Sequence, residues 1–383
     1  LQQDIPIEKK FVITYGLNEM NMHSHPSLTT RRGHIVLTGI AKQFGNRRGI
    51  TDLNLEIKPG EFFTILGPSG CGKTTTLMML AGFATPEQGD ILLDGKRIND
   101  VVPQERDLGV VFQNYVLFPH MTVAENLAFP LEVRKMKQTD IQQRITEMLT
   151  LVQLATPHHL PAQLSGGQQQ RVAIARSLIF DPPVLLMDEP LGALDRNLRA
   201  HLQVELRRLQ QRLGITVVYV THDQEEAMSM SDRVAIMNEG RLEQVGTPDA
   251  LYETPASLFV ANFLGENNRV SGIVSSPNSV TLDNGVDIDI PTHTRQTGER
   301  VAMTIRPERL CLREADGAAL QGNIEDVIFL GSHITYHVQV EQLGVLAIRV
   351  VNDGVHARLS REQHVGIGWQ LGSWQTFPEA SAA

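Results

Sequence analysis

The chain has 383 residues, of which 42% are hydrophobic, 20% charged and only 5% aromatic; this excludes a wholly disordered chain and leaves aliphatic material for a large core. Its 34 Lys and Arg against 43 Asp and Glu give a formal net charge of −9, which argues against a generally basic surface for nucleic acid. The two cysteines, Cys71 and Cys311, exclude a disulfide scaffold and a CxxC metal site, a usage that fits a reducing cytoplasm. No apolar run approaches the length of a membrane span, and the opening LQQDIPIEKK lacks the apolar core of a signal peptide. Any membrane connection is therefore expected through a partner.

At about 150 residues per domain, the length suggests two domains or three. Residues 1–33 read as an extension outside the fold, with a flexible tail at 21–32 and Met20 or Met22 nearer the functional start. HIVLTGIAKQF (34–44) and NLEI (54–57) alternate as strands do, FFTIL (62–66) is the short apolar run of a buried strand, and residues 75–83 suit a buried helix. DILLDGKRI (90–98) reads as a hairpin turning at Asp94 and Gly95. Residues 139–155 have helical spacing. VLLMD (184–188), ITVVYVT (215–221) and RVAIM (233–237) are further buried strands, and 197–213 is an amphipathic helix ended by Gly214. Its RRLQQR run (207–212) is expected to form a solvated face. Apolar strands alternating with helices predict a mostly parallel α/β sheet. Beyond about residue 265, short alternating segments separated by Gly, Asn, Asp and Pro predict an all-β region of small-barrel type.

Three motifs carry chemistry. GPSGCGKT (Gly67, Pro68, Ser69, Gly70, Cys71, Gly72, Lys73, Thr74) fits GxxxxGK[ST] between a buried strand and a helix. Its glycines let backbone N–H groups close around phosphates in front of a helix N-terminus. Lys73 would reach the β- and γ-phosphates of ATP, and the Thr74 hydroxyl would ligate Mg²⁺. VLLMDE (184–189) delivers two carboxylates to the carboxyl end of a strand, where ligands of α/β sheets bind. Asp188 can hold Mg²⁺, and Glu189 can act as general base on the attacking water. Cys71 is read as a small residue filling the loop, with a redox-sensitive thiol as the alternative. His23, His25, His158 and His159 lack the Cys or carboxylate spacing of a metal site.

LSGGQQQR (164–171) decides the class. With these motifs in order, residues 34–267 resemble the ATP-binding subunits of ABC transporters, whose signature is LSGGQ. Ser165, Gly166, Gly167 and Gln168 open a helix whose N–H groups can bind a γ-phosphate; the resemblance implies that this phosphate belongs to the nucleotide on the opposite subunit of a homodimer. It also implies that Gln113 reaches Mg²⁺ and the water, that His222 contacts the γ-phosphate and that Asp195 lies at the dimer contact. Phe44 would stack on adenine, with apolar help from Ile50, and Thr75 would reach the α-phosphate. Taken singly, Gln113 reads as a surface glutamine and His222 as an ordinary polar residue.

The resemblance persists more weakly into the C-terminal part, where IRPERLCL (305–312) resembles the RPE segment of the oligonucleotide-binding-like (TOBE-type) regulatory domain of importer ATPases. It implies an α/β P-loop ATPase domain with a helical subdomain at 34–267 and an all-β domain at 268–383. It further implies two transmembrane permease subunits, one seating a short helix beside Gln113 and segment 114–130, an extracytoplasmic solute-binding protein, no nucleic acid, and a peripheral place on the cytoplasmic face of the inner membrane. The polyamine-type importers are most similar, with ferric-iron, aminoalkylphosphonate, opine and maltose types as alternatives. A soluble ABC protein of translation or repair would carry tandem cassettes or coiled-coil insertions, and an exporter ATPase would lack the C-terminal domain.

Overall fold

The computed structural model describes residues 32–379 except 45–46, 193, 291–294 and 355–357, and not the side chains of Phe44, Arg47 and Arg48. Most of the expected N-terminal extension therefore lies outside the described residues. Gly33, assigned to that extension, is instead part of the fold: it is buried, and its N–H donates to Asp94 Oδ1 at 2.9 Å.

β1 (Ile35–Phe44) pairs antiparallel with β2 (Arg47–Ile57), which is longer than its NLEI core. β3 (Phe62–Leu66) is buried throughout. α1 (Lys73–Ala81) follows the glycine turn and stops at Gly82, φ 86°. A Cβ there would lie 2.7 Å from Arg106 Nε, because the buried Arg106 guanidinium donates to the carbonyls of Met79 and Leu80 and so satisfies the end of the helix. β4 (Gln88–Leu93) and β5 (Lys96–Arg97) join through Asp94 and Gly95, both at positive φ, as a two-residue hairpin requires. β6 (Gly109–Val111) leads to a helical layer. α2 (Val123–Val133) is opened by a capping box of Thr122 and Glu125, and α3 (Gln138–Leu151) and α4 (Gly166–Leu178) pack on it. β7 (Val184–Asp188), α5 (Arg196–Leu213), β8 (Thr216–Thr221), α6 (Gln224–Met230), β9 (Arg233–Asn238), β10 (Arg241–Gly246), α7 (Pro248–Glu253) and α8 (Leu258–Phe263) complete this region.

Two sheets result. One is antiparallel, in the order β2-β1-β4-β5; the other runs β10-β9-β3-β8-β7-β6, parallel except at β10. Alternation in the buried strands sends side chains to both faces of the second sheet. Phe63, Ile65, Leu186, Val218 and Val220 pack with α1 and the antiparallel sheet, while Phe62, Leu185, Met187, Val217 and Tyr219 pack with α4 and α5. The RRLQQR stretch of α5 is solvated only in part: Arg208, Gln211 and Arg212 are exposed, but Arg207 pairs with Asp232, and Gln210, 4% exposed, donates to the carbonyls of Gly60 and Ile215. These partners come from other segments, so the local charge pattern could not reveal them.

The C-terminal region is all-β. β11 (Asn268–Ser276), β12 (Ser279–Leu282), β13 (Asp287–Asp289), β14 (Arg300–Ile305), β15 (Leu310–Arg313), β16 (Leu320–Phe329), β17 (His333–Val340), β18 (Gly344–Val351), β19 (His364–Trp369) and β20 (Gln375–Pro378) form two antiparallel five-stranded sheets, β13-β12-β11-β14-β20 and β15-β19-β16-β17-β18. They share one apolar core that includes Trp374. The RPE segment joins this region to the first. Arg306, 6% exposed, donates to the carbonyls of Ala261 (3.0 Å) and Glu266 (3.3 Å) and lies 4.1 Å over the Tyr252 ring. The Tyr252 hydroxyl bonds Glu308, and burial together with that carboxylate pushes its pKa up to about 12.

Candidate functional site

The glycine-rich loop begins where β3 ends. A Cβ on Gly67 would sit 2.3 Å from the Met237 carbonyl, and one on Gly72 would sit 2.9 Å from Ile50 Cγ1; Gly70 and Gly72 also hold φ of 80° and 107°. Close approach and left-handed backbone together explain the glycines. The loop curls around Lys73, whose buried Nζ donates to the carbonyls of Gly67 (2.8 Å) and Pro68 (2.9 Å). Ser69, Gly70 and Thr74 are exposed beside the first turn of α1, with Thr75 half-buried behind them. Cys71 is 3% exposed, and burial, outweighing Lys73, pushes its thiol up. That is the environment of an unreactive cysteine.

The acidic pair stands opposite. Asp188 ends β7, and its Oδ1 accepts from the Thr74 hydroxyl at 3.0 Å. Burial raises its carboxyl, helped by Glu189 and opposed by Thr74 and Lys73. Glu189 adopts φ 43°, a costly conformation for a side-chain-bearing residue, and its N–H is anchored to the Val220 carbonyl at 2.9 Å. Its carboxylate is flanked on both sides: Gln113 Nε2 donates to Oε2 at 3.4 Å, and His222 Nδ1 lies 3.0 Å from Oε1. Gln113, Glu189 and His222 follow β6, β7 and β8, three neighbours in the parallel sheet. The strand order thus gathers them at one edge, where α/β sheets bind ligands.

Ser165 caps α4: its Oγ accepts from Gln168 N, and Gln168 Oε1 accepts from Ser165 N at 2.9 Å. Gly166 is exposed and Gly167 buried; Cβ atoms there would meet Leu194 and Leu198, each at 3.2 Å. The signature therefore packs on the loop that ends at Asp195, which caps α5 through Leu198 N. No hydrogen bond or ion pair joins Ser165–Gln168 to Gly67–Thr75 among the described residues.

Ile50, expected beside the base, is 1% exposed and belongs to the core beneath Gly72, where it supports the phosphate loop. The side chain of Phe44 lies outside the described residues. Sequence reading missed Asn126, fully buried, which accepts from Phe118 N and donates to the carbonyls of Phe118, Met121 and Thr122. It fixes the segment downstream of Gln113. The only local signal was an Asn one turn inside a capped helix, where its propensity is poor. In the same segment Val116, a β-branched residue, stands at φ 45° and is 55% exposed.

The ABC transporter family model matches residues 50–192, and the TOBE domain model matches residues 303–377. A spermidine/putrescine import ATP-binding protein PotA of Thermobifida fusca is 47% identical over 82% of this chain and 81% of its own length. The protein of that name from Bacillus cereus is 46% identical over 88% of this chain and 96% of its own. The chain belongs to the ABC transporter ATPases. Among solved structures, a dimeric bacterial ABC transporter cassette is similar at a TM-score of 0.51 and 37% identity, covering 56% of this chain and 98% of the cassette. CbiO1 of Clostridium perfringens, part of an ABC transporter complex, is similar at 0.54 and 30% identity, covering 57% and 90%. This ABC protein binds ATP and couples its hydrolysis to transport. Among the described residues no helix is long and apolar enough to cross a membrane.

Proposed function

We propose that this ABC ATPase powers import of a polyamine of the spermidine or putrescine class, as a homodimer held on the cytoplasmic face of the membrane by two permease subunits and fed by an extracytoplasmic solute-binding protein. The observation that carries the hydrolytic reading is the Glu189 carboxylate held between Gln113 and His222, beside Lys73, Thr74 and Asp188. The solute class rests on the names of the relatives. Residues 33–267 form the ATPase domain and 268–383 the regulatory domain in this reading.

The phosphates of ATP lie against the backbone N–H groups of Gly70 to Thr75, and Lys73 turns its ammonium from the loop carbonyls to the β- and γ-oxygens. Among the described residues no three His, Cys, Asp or Glu side chains cluster as a metal site. The donors at hand are the Thr74 hydroxyl, the Asp188 carboxylate and the Gln113 amide oxygen. Such a hard-oxygen set, with the buried carboxylate of Asp188 among its members, fits Mg²⁺, which takes one or two carboxylates plus substrate phosphates. Held by Thr74, Asp188 and Gln113, Mg²⁺ would supply positive charge to offset that of the phosphates. Glu189 accepts a proton from the water attacking the γ-phosphorus, while His222 orients the carboxylate and meets the γ-phosphate. Ser165, Gly166, Gly167 and Gln168 of the second subunit close over that phosphate. Exposed Val116, Phe129 and Val133 in the segment that follows Gln113, with Phe83 against the neighbouring Phe112, offer the apolar seat for a permease helix.

The test is Glu189→Gln in protein reconstituted with its permease. Hydrolysis and uptake of labelled putrescine should fall about 10²–10⁴-fold with ATP binding retained. Full hydrolysis would remove Glu189 from the base role. Wild-type hydrolysis unresponsive to polyamine and its binding protein would refute the solute class.

A further inference from the structure

His222 makes its one described polar contact with Glu189, yet the residues on either side of it are heavily braced. Thr221 Oγ1 donates to Glu226 Oε2 at 2.8 Å and accepts from Asp223 N at 3.0 Å. Glu226, 2% exposed, also accepts from the buried Tyr219 hydroxyl at 2.7 Å. Asp223 uses both oxygens. Oδ1 caps α6 through Glu225 N (2.8 Å) and Glu226 N (3.2 Å), and Oδ2 accepts from Arg199 NH1 at 3.0 Å.

Arg199 stands in the first turn of α5, on a different segment. Its NH2 donates to the Leu194 carbonyl at 3.0 Å, and its Nε lies 3.9 Å from Glu226 Oε1 with no hydrogen-bond partner. Leu194 belongs to the loop ending at Asp195, and its side chain packs against Gly166 of the signature. One planar guanidinium therefore ties the signature-side loop to the strand end that bears His222. Three rigid donors facing a carbonyl and two carboxylates are a match that a lysine ammonium cannot reproduce.

We infer that Arg199 is a positioning residue for hydrolysis: it sets His222, and through it Glu189, according to the placement of Leu194 and Asp195 at the end of that loop. This rests on the ATPase reading above. The loop faces the partner subunit in that reading, so Arg199 makes the catalytic arrangement depend on dimer closure. Arg199 touches neither Glu189 nor the phosphate loop, so it acts through His222 and not on the nucleotide itself.

The experiment compares Arg199→Met, Arg199→Lys and Asp223→Asn with wild type for kcat, KM and ATP affinity measured by equilibrium binding. Asparagine caps a helix about as well as aspartate, so Asp223→Asn keeps α6 while removing the acceptor for Arg199. Arg199→Met and Asp223→Asn should each lower kcat at least tenfold with ATP affinity within twofold, and the double variant should lose no more than either alone. Arg199→Lys should recover part of the rate. Additive losses, or wild-type kcat in folded Asp223→Asn, would overturn the inference. If Arg199→Met does not fold, Asp223→Asn decides. Should wild type not hydrolyse ATP, the function reading fails instead, which the same assay shows before any variant is compared.

Discussion

Arg306 is the best single place to test how the two regions are joined. In Arg306→Met the side chain keeps its bulk, but the carbonyls of Ala261 and Glu266 lose their charged donor, and the Tyr252 ring loses the cation above it. Hydrogen bonds to a charged group contribute about 1.5–3 kcal/mol each, and the cation–π contact adds about 1 kcal/mol. Against this stands the cost of burying a guanidinium, which burial also holds below its ordinary pKa. A net loss of about 3 kcal/mol at the junction is the balanced expectation, which is roughly 150-fold in the closed-to-open ratio of the C-terminal region. Arg309 bonded to Glu253 and Gln375 bonded to the Glu253 carbonyl remain, so the regions should loosen and not separate. Limited proteolysis under conditions where cleavage is slower than reclosing reads that ratio directly. Cleavage near 264–268 should accelerate on the order of 100-fold while ATP affinity stays unchanged, and Arg306→Lys should fall in between. Wild-type protease resistance in Arg306→Met would refute the clasp, and loss of ATP binding would show that the junction is not separable from the nucleotide site.

Two further predictions follow from the same geometry. Lys73→Ala and Ser165→Arg should each abolish hydrolysis alone, while mixing them equally should leave about half of the dimers with one intact site, about a quarter of all sites, since each composite site takes its phosphate loop and signature from different subunits; ATPase activity across mixing ratios checks this, and no rescue in proven heterodimers would contradict the sandwich. At Asp232, burial alone would raise the carboxyl, but Arg207 and the Phe62 N–H outweigh it and hold the group below its ordinary value. The stabilisation is therefore present above the unfolded value of about 3.9 and lost as pH falls through the folded one. Because 40% of that side chain is exposed, the contribution is about 1 kcal/mol, and Asp232→Asn should flatten urea midpoints between pH 5 and 3.

The phosphate loop, the acidic strand end and the signature helix were legible in the sequence because each is a short-range device. A strand, a glycine turn and a helix follow one another within a few residues, and φ preferences and apolar periods encode them locally. The same holds for the hairpin at Asp94 and Gly95 and for the helix stop at Gly214. The order of motifs then fixed the family and the chemistry. Only the tertiary structure decided what meets what. Gln113 and Glu189 lie 76 residues apart in the chain, and their contact exists because β6, β7 and β8 are neighbours in the sheet, a matter of strand order that no local period records. Ile50 was expected beside the base with Phe44, but only packing shows that it lies in the core beneath Gly72. Arg199 carried no signal in the sequence, and Arg306 stood out only as part of the RPE segment. Their partners are carbonyls and carboxylates from other segments, and a buried guanidinium is tolerated only where folding delivers those acceptors to it.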